Sequence, residues 1–315
     1  MDGDWAGGDA ALSVRLPDDR LLWLFGDTFV GDVRDDGSRD DDTRIVRNSV
    51  VLTRGTCAVS ATPGRATLPG RGSTWLWPTS AVVTATSASG KAIVAVFTQR
   101  MRRTGDGAWD FARVGAAVVT LTVRRNGAAS VAGVRDLPAS DVLWGAATVV
   151  RRGTTYVYGT RTVDEPLVFG RELLLAQAPT ATVRDQRTWS YRTATGWSAR
   201  STDAAVVLPA RTGVSTTPTV VVRGGSFRIV TKPQEFLDDR VVEMTSSTPY
   251  GPWTMRTLFR SASTGARPTY SPTVVATDGR GLDVVVISRT STSATALMDD
   301  ATLTVPLFRD VDLAR

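Results

Sequence analysis

The strongest constraint on this chain is a pair of apolar strands that recurs five times. In each recurrence a short, β-branched strand leads into a second apolar strand that ends on a polar residue. The leading strands are 10–14, 79–83, 146–150, 218–222 and 272–275. The second strands are 22–27, 93–99, 156–161, 227–232 and 284–289, closing on Asp27, Gln99, Arg161, Lys232 and Arg289. Their starts lie roughly 54 to 72 residues apart. Repeated β-units of this size predict an all-β fold, a five-bladed β-propeller, because each unit can bury its apolar face only against its neighbours. The blades fall at about 9–60, 76–135, 142–200, 214–257 and 268–315, within one domain covering 1–315. All-β folds of this length commonly form a single domain. The strand-end residues then ring one mouth of a central funnel, and only the first blade contributes a carboxylate.

Two segments test this reading locally. Residues 171–178, Arg-Glu-Leu-Leu-Leu-Ala-Gln-Ala, favour helix by propensity. They stand where the third strand of the third blade belongs, so strand is expected. Residues 301–308 are expected to supply a closing strand. The loop 32–42 carries six aspartates, but their spacing does not match the Asp-x-Asp-x-Asp-Gly calcium pattern. It is expected to be a solvated, flexible loop on the same face as Asp27.

Composition removes whole classes of chemistry. The chain has no histidine, which excludes a Ser-His-Asp triad, Cys-His catalysis and His-ligated zinc. Cys57 is alone, so no intrachain disulfide forms, and a buried, inert thiol is expected. No cofactor and no metal are implied. The net charge is +6, and lysine occurs only at Lys91 and Lys232. No basic run is interleaved with aromatics, so no nucleic-acid partner is expected. No stretch of 18 apolar residues is present, so no membrane span is expected. The chain shows no signal peptide and enters its first strand within about ten residues of Met1, which fits a leader already trimmed as well as a cytoplasmic protein. No feature of the sequence sets an oligomeric state.

The residues suited to chemistry lie in the first hairpin. A two-residue turn at 18 and 19 pairs position i with 37 − i, which sets Ala10 opposite Asp27 with Asp9 beside that pair. Two carboxylates at one end of a hairpin, partly withdrawn from water, cannot both ionise cheaply, so one pKa rises while the other stays low. Glycoside hydrolysis uses this division between an acid and a base or nucleophile. Phe25 and Phe29 flank Asp27 and favour it as the acid, and splayed side chains favour inversion. Asn48, Gln99, Arg161, Lys232 and Arg289 supply polar groups for a polyhydroxylated ligand. Trp77, Trp144 and Tyr270 flank the inner strands, where their faces either stack on sugar rings or pack between blades. The same funnel also suits a non-catalytic carbohydrate-binding propeller, or a propeller glycosidase acting on another sugar.

Three stretches carry a family resemblance: Gly7-Gly8-Asp9-Ala10, then Leu22-Trp23-Leu24-Phe25-Gly26-Asp27-Thr28-Phe29, then Arg47-Asn48-Ser49-Val50-Val51. Together they resemble the actinobacterial domain-of-unknown-function 4185 group, which includes the endo-D-arabinanases of glycoside hydrolase family 183. The match covers about the first 55 residues; the rest agrees only in blade rhythm. The resemblance implies a five-bladed propeller that cleaves D-arabinan of mycobacterial arabinogalactan and lipoarabinomannan. It places the two acidic catalytic positions on Asp9 and Asp27, and it implies a secreted or cell-envelope protein with a polysaccharide as its partner.

Overall fold

The computed structural model describes residues 5–55, 57–61, 66–107, 109–277 and 282–313. The fold is all-β with almost no helix. The chain divides into two compact units, Met1–Ser140 with Ser288–Pro306, and Asp141–Ile287 with Leu307–Arg315.

In the first unit, β1 (Trp5–Gly8) runs on towards β2 (Leu12–Arg15), and β3 (Leu21–Phe25) runs on towards β4 (Thr28–Val30). The first hairpin is therefore one long strand pair shared between two sheets. Its outer half joins β5 (Arg44–Val46) in a three-stranded sheet, β1-β4-β5. Its inner half joins β6 (Ser49–Arg54) and β7 (Cys57–Ala61) in the order β2-β3-β6-β7. The turn holds three residues rather than two. The Leu16 N–H donates to the Arg20 carbonyl at 2.8 Å, and Asp19 closes the loop at φ 66°. Aspartate tolerates this left-handed step, which inserts one residue and shifts the register by one. Leu12 thus faces Leu24, and Arg15 faces Leu21.

The second sheet is β11-β10-β9-β8, built from β8 (Thr74–Thr86), β9 (Ala92–Arg103), β10 (Phe111–Val123) and β11 (Ala129–Asp136). Alternation decides which face is buried. In β3, Leu22 and Leu24 are fully buried while Leu21 and Trp23 keep some exposure. Leu22, Leu24 and Leu52 pack against Leu76, Val94, Val96 and Leu121 in one core. Each such side chain contributes about 1.5–3 kcal/mol on burial.

The segment 32–42 is pinned rather than flexible. Arg39 is 1 % exposed, and its guanidinium lies 4.0 Å from the centre of the Phe29 ring. It donates to the carbonyls of Ala6 (2.7 Å) and Leu297 and to Thr304 Oγ1 (2.6 Å). Arg34 pairs with Asp40 and Asp41, at 2.8 and 3.2 Å. Among the described residues, no three His, Cys, Asp or Glu side chains are placed to hold a metal. The anchor for Arg39 is the end of the unit, helix α1 (Ala294–Asp299) and the 3-10 turn Ala301–Thr304. Here the expected strand over 301–308 is corrected. The Asp300 carboxylate accepts from the Thr302 N–H at 2.9 Å and coils 301–304, and extended structure resumes at Leu307, after Pro306. Cys57 is also corrected, since it is exposed at the start of β7.

The second unit opens with β12 (Leu143–Arg151), β13 (Thr154–Arg161), β14 (Glu172–Pro179), β15 (Ser190–Arg192) and β16 (Trp197–Ser198), paired in that order, with β17 (Val206–Leu208) on β14. Next comes the sheet of β18 (Thr219–Arg223), β19 (Ser226–Thr231), β20 (Arg240–Ser246) and β21 (Thr254–Arg260). The last is β22-β23-β24, from β22 (Thr269–Thr277), β23 (Asp283–Arg289) and β24 (Leu307–Val311). The segment 171–178 is strand, as expected. Leu173, Leu174, Leu175 and Ala176 are all buried, so burial on both faces outweighs helix propensity. Sheets adjacent in sequence share cores: Tyr158 and Leu175 pack with Ile229 and Met244, and Val230 and Val241 pack with Val285 and Ile287. Each sequence block thus forms an antiparallel sheet, and β1-β4-β5 is an addition that the repeat did not indicate.

Candidate functional site

The long first hairpin changes sheets at Asp9 and Asp27. The Asp9 N–H donates to the Asp27 carbonyl at 3.0 Å, and the Asp9 carbonyl accepts from the Gly26 N–H at 2.8 Å. One residue on one strand therefore faces two on the other, which is a bulge and re-aims the side chains around it. Ala10 adds a left-handed step at φ 47°. The corrected register sets Asp9 itself, rather than Ala10, opposite Asp27. Gly26 leaves room for its neighbour here: the space that a Cβ would fill is occupied by the Asp9 carboxylate.

Asp27 is gripped from both sides. Arg47 Nη1 donates to Oδ2 at 2.9 Å, and Trp77 Nε1 donates to Oδ1 at 3.0 Å. Thr28 links this position to the next strand through Ser49, at 2.8 Å between hydroxyls. The Asp27 side chain remains 27 % exposed. Burial pushes its pKa above the usual carboxylate value. The charge of Arg47, the hydrogen bonds from Trp77 and Arg47, and the charge of Arg103 act in the opposite sense. Desolvation penalises the charged form more than these partners favour it.

Aromatic side chains continue from this carboxylate. Trp77 meets Trp75 edge-on at 5.7 Å and Phe111 edge-on at 5.0 Å. The Arg47 guanidinium lies 4.7 Å from the Trp75 ring centre. Gln99 stands directly across from Trp77 in the β8–β9 pair. The first unit thus brings Asp9, Asp27, Trp77 and Gln99 into one neighbourhood. Trp77 enters as a donor to Asp27, with its ring edge-packed against two others.

Other expected site residues hold structure instead. Asn48 has no exposure; its amide donates to the carbonyls of Leu68 and Leu76 (3.0 and 2.9 Å) and accepts from the Leu68 N–H (2.7 Å). Arg289 donates to the Val305 carbonyl at 3.0 Å. In the second unit Arg161 pairs with Glu172 at 2.7 Å and with Asp141 at 3.7 Å. Trp144 is 2 % exposed and packs on Tyr191 with ring centres 5.1 Å apart. Lys232 is fully buried, with Nζ donating to the carbonyl and hydroxyl of Thr269 at 2.6 and 2.9 Å. Desolvation lowers its pKa to about 8. In these positions Asn48, Trp144 and Lys232 are taken up by the core rather than offered to a ligand. Tyr270 is half-buried within β22.

Arg47, Arg103 and Gly26 were missing from the sequence-derived site. Arg47 had a legible signal. Phe25 faces Ser49 and Thr28 faces Val46, so the same register carried between them sets Asp27 opposite Arg47.

A family model described as a domain of unknown function, DUF5005, matches residues 1–296. The chain belongs to that family; the match is not to the group that its first 55 residues resemble. No curated protein matches it in sequence. Among solved structures it is similar to a putative hydrolase from Bacteroides ovatus, with TM-score 0.77 and 17% identity over 99% of this chain and 87% of that one. It is similar to a glycoside hydrolase family 43 arabinoxylan arabinofuranohydrolase from Bacillus subtilis, with TM-score 0.57 and 14% identity over 98% of this chain and 64% of that one. It is also similar to an exo-beta-1,3-galactanase from Phanerochaete chrysosporium, with TM-score 0.54 and 8% identity over 98% of this chain and 61% of that one. At these identities the likeness is one of fold.

Proposed function

We propose that this member of the DUF5005 family is a glycoside hydrolase acting within furanose polysaccharide chains, with D-arabinan of mycobacterial arabinogalactan and lipoarabinomannan as its substrate. We further propose that its five sequence blocks are the blades of one five-bladed propeller. The observation that carries the reading is the meeting of Asp9 and Asp27 across the bulge, with Asp27 shielded and gripped by Arg47 and Trp77. Asp27, with its raised pKa, is the acid. It gives its proton to the glycosidic oxygen as the carbon–oxygen bond breaks, and Arg47 and Trp77 then hold the carboxylate that remains. Asp9 is the base: it takes a proton from the water that attacks the anomeric carbon from the opposite face, which inverts the configuration. Gln99, beside Trp77, offers its amide to sugar hydroxyls.

The resemblance of the first 55 residues to the D-arabinanase group supports the substrate, as does the fold shared with an arabinofuranohydrolase. A substrate in the mycobacterial envelope implies that the protein works outside the cytoplasm. Among the described residues, no helix is long and apolar enough to cross a membrane. The test is incubation with purified mycobacterial arabinogalactan, followed by chromatography of released oligosaccharides. Release that Asp27→Asn abolishes supports hydrolysis. An intact polymer that the protein nevertheless binds would favour a carbohydrate-binding module.

A further inference from the structure

We propose that Trp109, at the tip of the β9–β10 hairpin, is a stacking platform for a sugar unit away from the bond that is cut, so that the site grips a polymer rather than a single residue. This rests on the glycosidase reading of Asp9 and Asp27. Trp109 is 56 % exposed, which leaves much of its indole open to solvent. It is not isolated, because its ring centre lies 6.3 Å from Phe111, which meets Trp77 at 5.0 Å, and Trp77 donates to Asp27. The aromatic run therefore starts at the candidate acid and ends at an open indole face.

A second observation ties the same hairpin to the site. Arg103, at its base, acts electrostatically on Asp27. Arg103 also donates to the Gly107 carbonyl at 2.8 Å. The turn beyond is held shut by Asp110, whose carboxylate accepts from the Gly107 N–H at 2.8 Å and whose carbonyl accepts from the Thr104 N–H at 2.9 Å. The indole is thus presented from a braced turn, and little ordering remains to oppose binding. Its Nε1 has no partner among the described residues. A flat apolar face with an adjacent N–H donor suits a sugar ring, whose C–H face stacks while a hydroxyl accepts. Phe111 meets Trp77 and Trp75 edge-on and both Phe111 and Trp77 are only partly exposed, so Trp109 is the most exposed ring of this run.

The experiment is affinity electrophoresis through gels containing purified mycobacterial arabinogalactan, with Asp27→Asn as the parent so that the polymer stays intact. Adding Trp109→Ala should raise the dissociation constant about tenfold, and adding Trp109→Phe, which keeps an aromatic face, should give an intermediate value. Thermal melting of each variant confirms its fold. The proposal is overturned if the polymer does not retard the parent, if Trp109→Ala is retarded as strongly, or if Trp109→Phe binds no better than Trp109→Ala. Failure of the hydrolytic reading looks different: the active chain releases no oligosaccharide although retardation still depends on Trp109.

Discussion

Gly26→Ala is the sharpest probe of the site, because it places one methyl group where the Asp9 carboxylate now sits. The backbone accepts the change: Gly26 is not among the residues at positive φ, and the next nearest atom, the Ala10 Cβ, is at an ordinary 3.4 Å. The displaced group is the free end of a side chain. Asp9 must swing by roughly an ångström to regain van der Waals contact, a rotation that costs on the order of 1 kcal/mol. Stability should therefore fall by no more than about 1 kcal/mol, a shift of a few degrees in Tm. Turnover should fall far more, because misplacing a reacting group by about 1 Å costs on the order of a hundredfold. The assay is the initial rate of oligosaccharide release, with melting by calorimetry on the same samples. The double variant Gly26→Ala with Asp9→Asn should be no slower than Asp9→Asn alone, since both changes act on one carboxylate. Near-parental turnover in Gly26→Ala would refute a role for Asp9 in its present position. A fall of more than about 3 kcal/mol would show that packing, not chemistry, dictates this glycine.

Five further outcomes follow from the structure. Asp9→Asn and Asp27→Asn should each lower turnover at least about a hundredfold. Because burial raises the Asp27 pKa, folding stability declines as pH climbs from the unfolded value towards the folded one, so Asp27→Asn should melt no lower than the parent at pH 7. Arg47→Met keeps contact with Trp75 but removes the largest downward pull on Asp27, so the limb of the pH–rate profile that reports its deprotonation should move to higher pH; an unmoved limb would remove Asp27 from the acid role. Lys232, with a folded pKa of about 8, sheds its proton more readily folded than unfolded; stability should rise between about pH 8 and 10.5, by up to about 3 kcal/mol, and Lys232→Met should flatten that rise in chemical denaturation. Proton NMR of the first-formed product should show an inverted anomeric configuration, and retention would exclude Asp9 as base on a free water.

The repeating strand pairs were legible because burial demands short apolar runs, alternating at Leu22 and Leu24 and continuous over Val94, Ala95, Val96 and Phe97. The strand nature of 171–178 was legible only from its place in the repeat, since its own propensity pointed to helix. Other features were hidden because they depend on single polar contacts. Nothing in the composition of 32–42 marks Arg39 as a buried anchor among two carbonyls and a hydroxyl 258 to 265 residues away in sequence. Asn48 and Lys232 looked like ligand donors at strand ends, but polar residues at strand ends also satisfy buried carbonyls, as Leu68, Leu76 and Thr269 show.

The observed register of the first hairpin lies one residue from that of a two-residue turn at 18 and 19. An uninterrupted ladder would have set Ala10 against Asp27 and sent Asp9 to the other face. The left-handed Asp19 shifts the inner half of the hairpin by one step, and the bulge at Gly26 and Asp27 then lets a single residue, Asp9, face two. The shift at Asp19 alone sets Asp9 opposite Asp27, in line with Leu12 opposite Leu24 and Gly8 opposite Thr28, and at the bulge the backbones of Asp9 and Asp27 hydrogen-bond where the strand pair passes from one sheet to the next. That junction is also where a third chain segment can reach in, and Trp77 and Arg47 do so from β8 and from the turn between β5 and β6. A regular sheet would have filled those approaches with ladder bonds and cross-strand side chains. The candidate chemistry sits where the repeat breaks, so the repeat predicts the scaffold, while the site must be read from the departures at Ala10, Asp19 and Gly26.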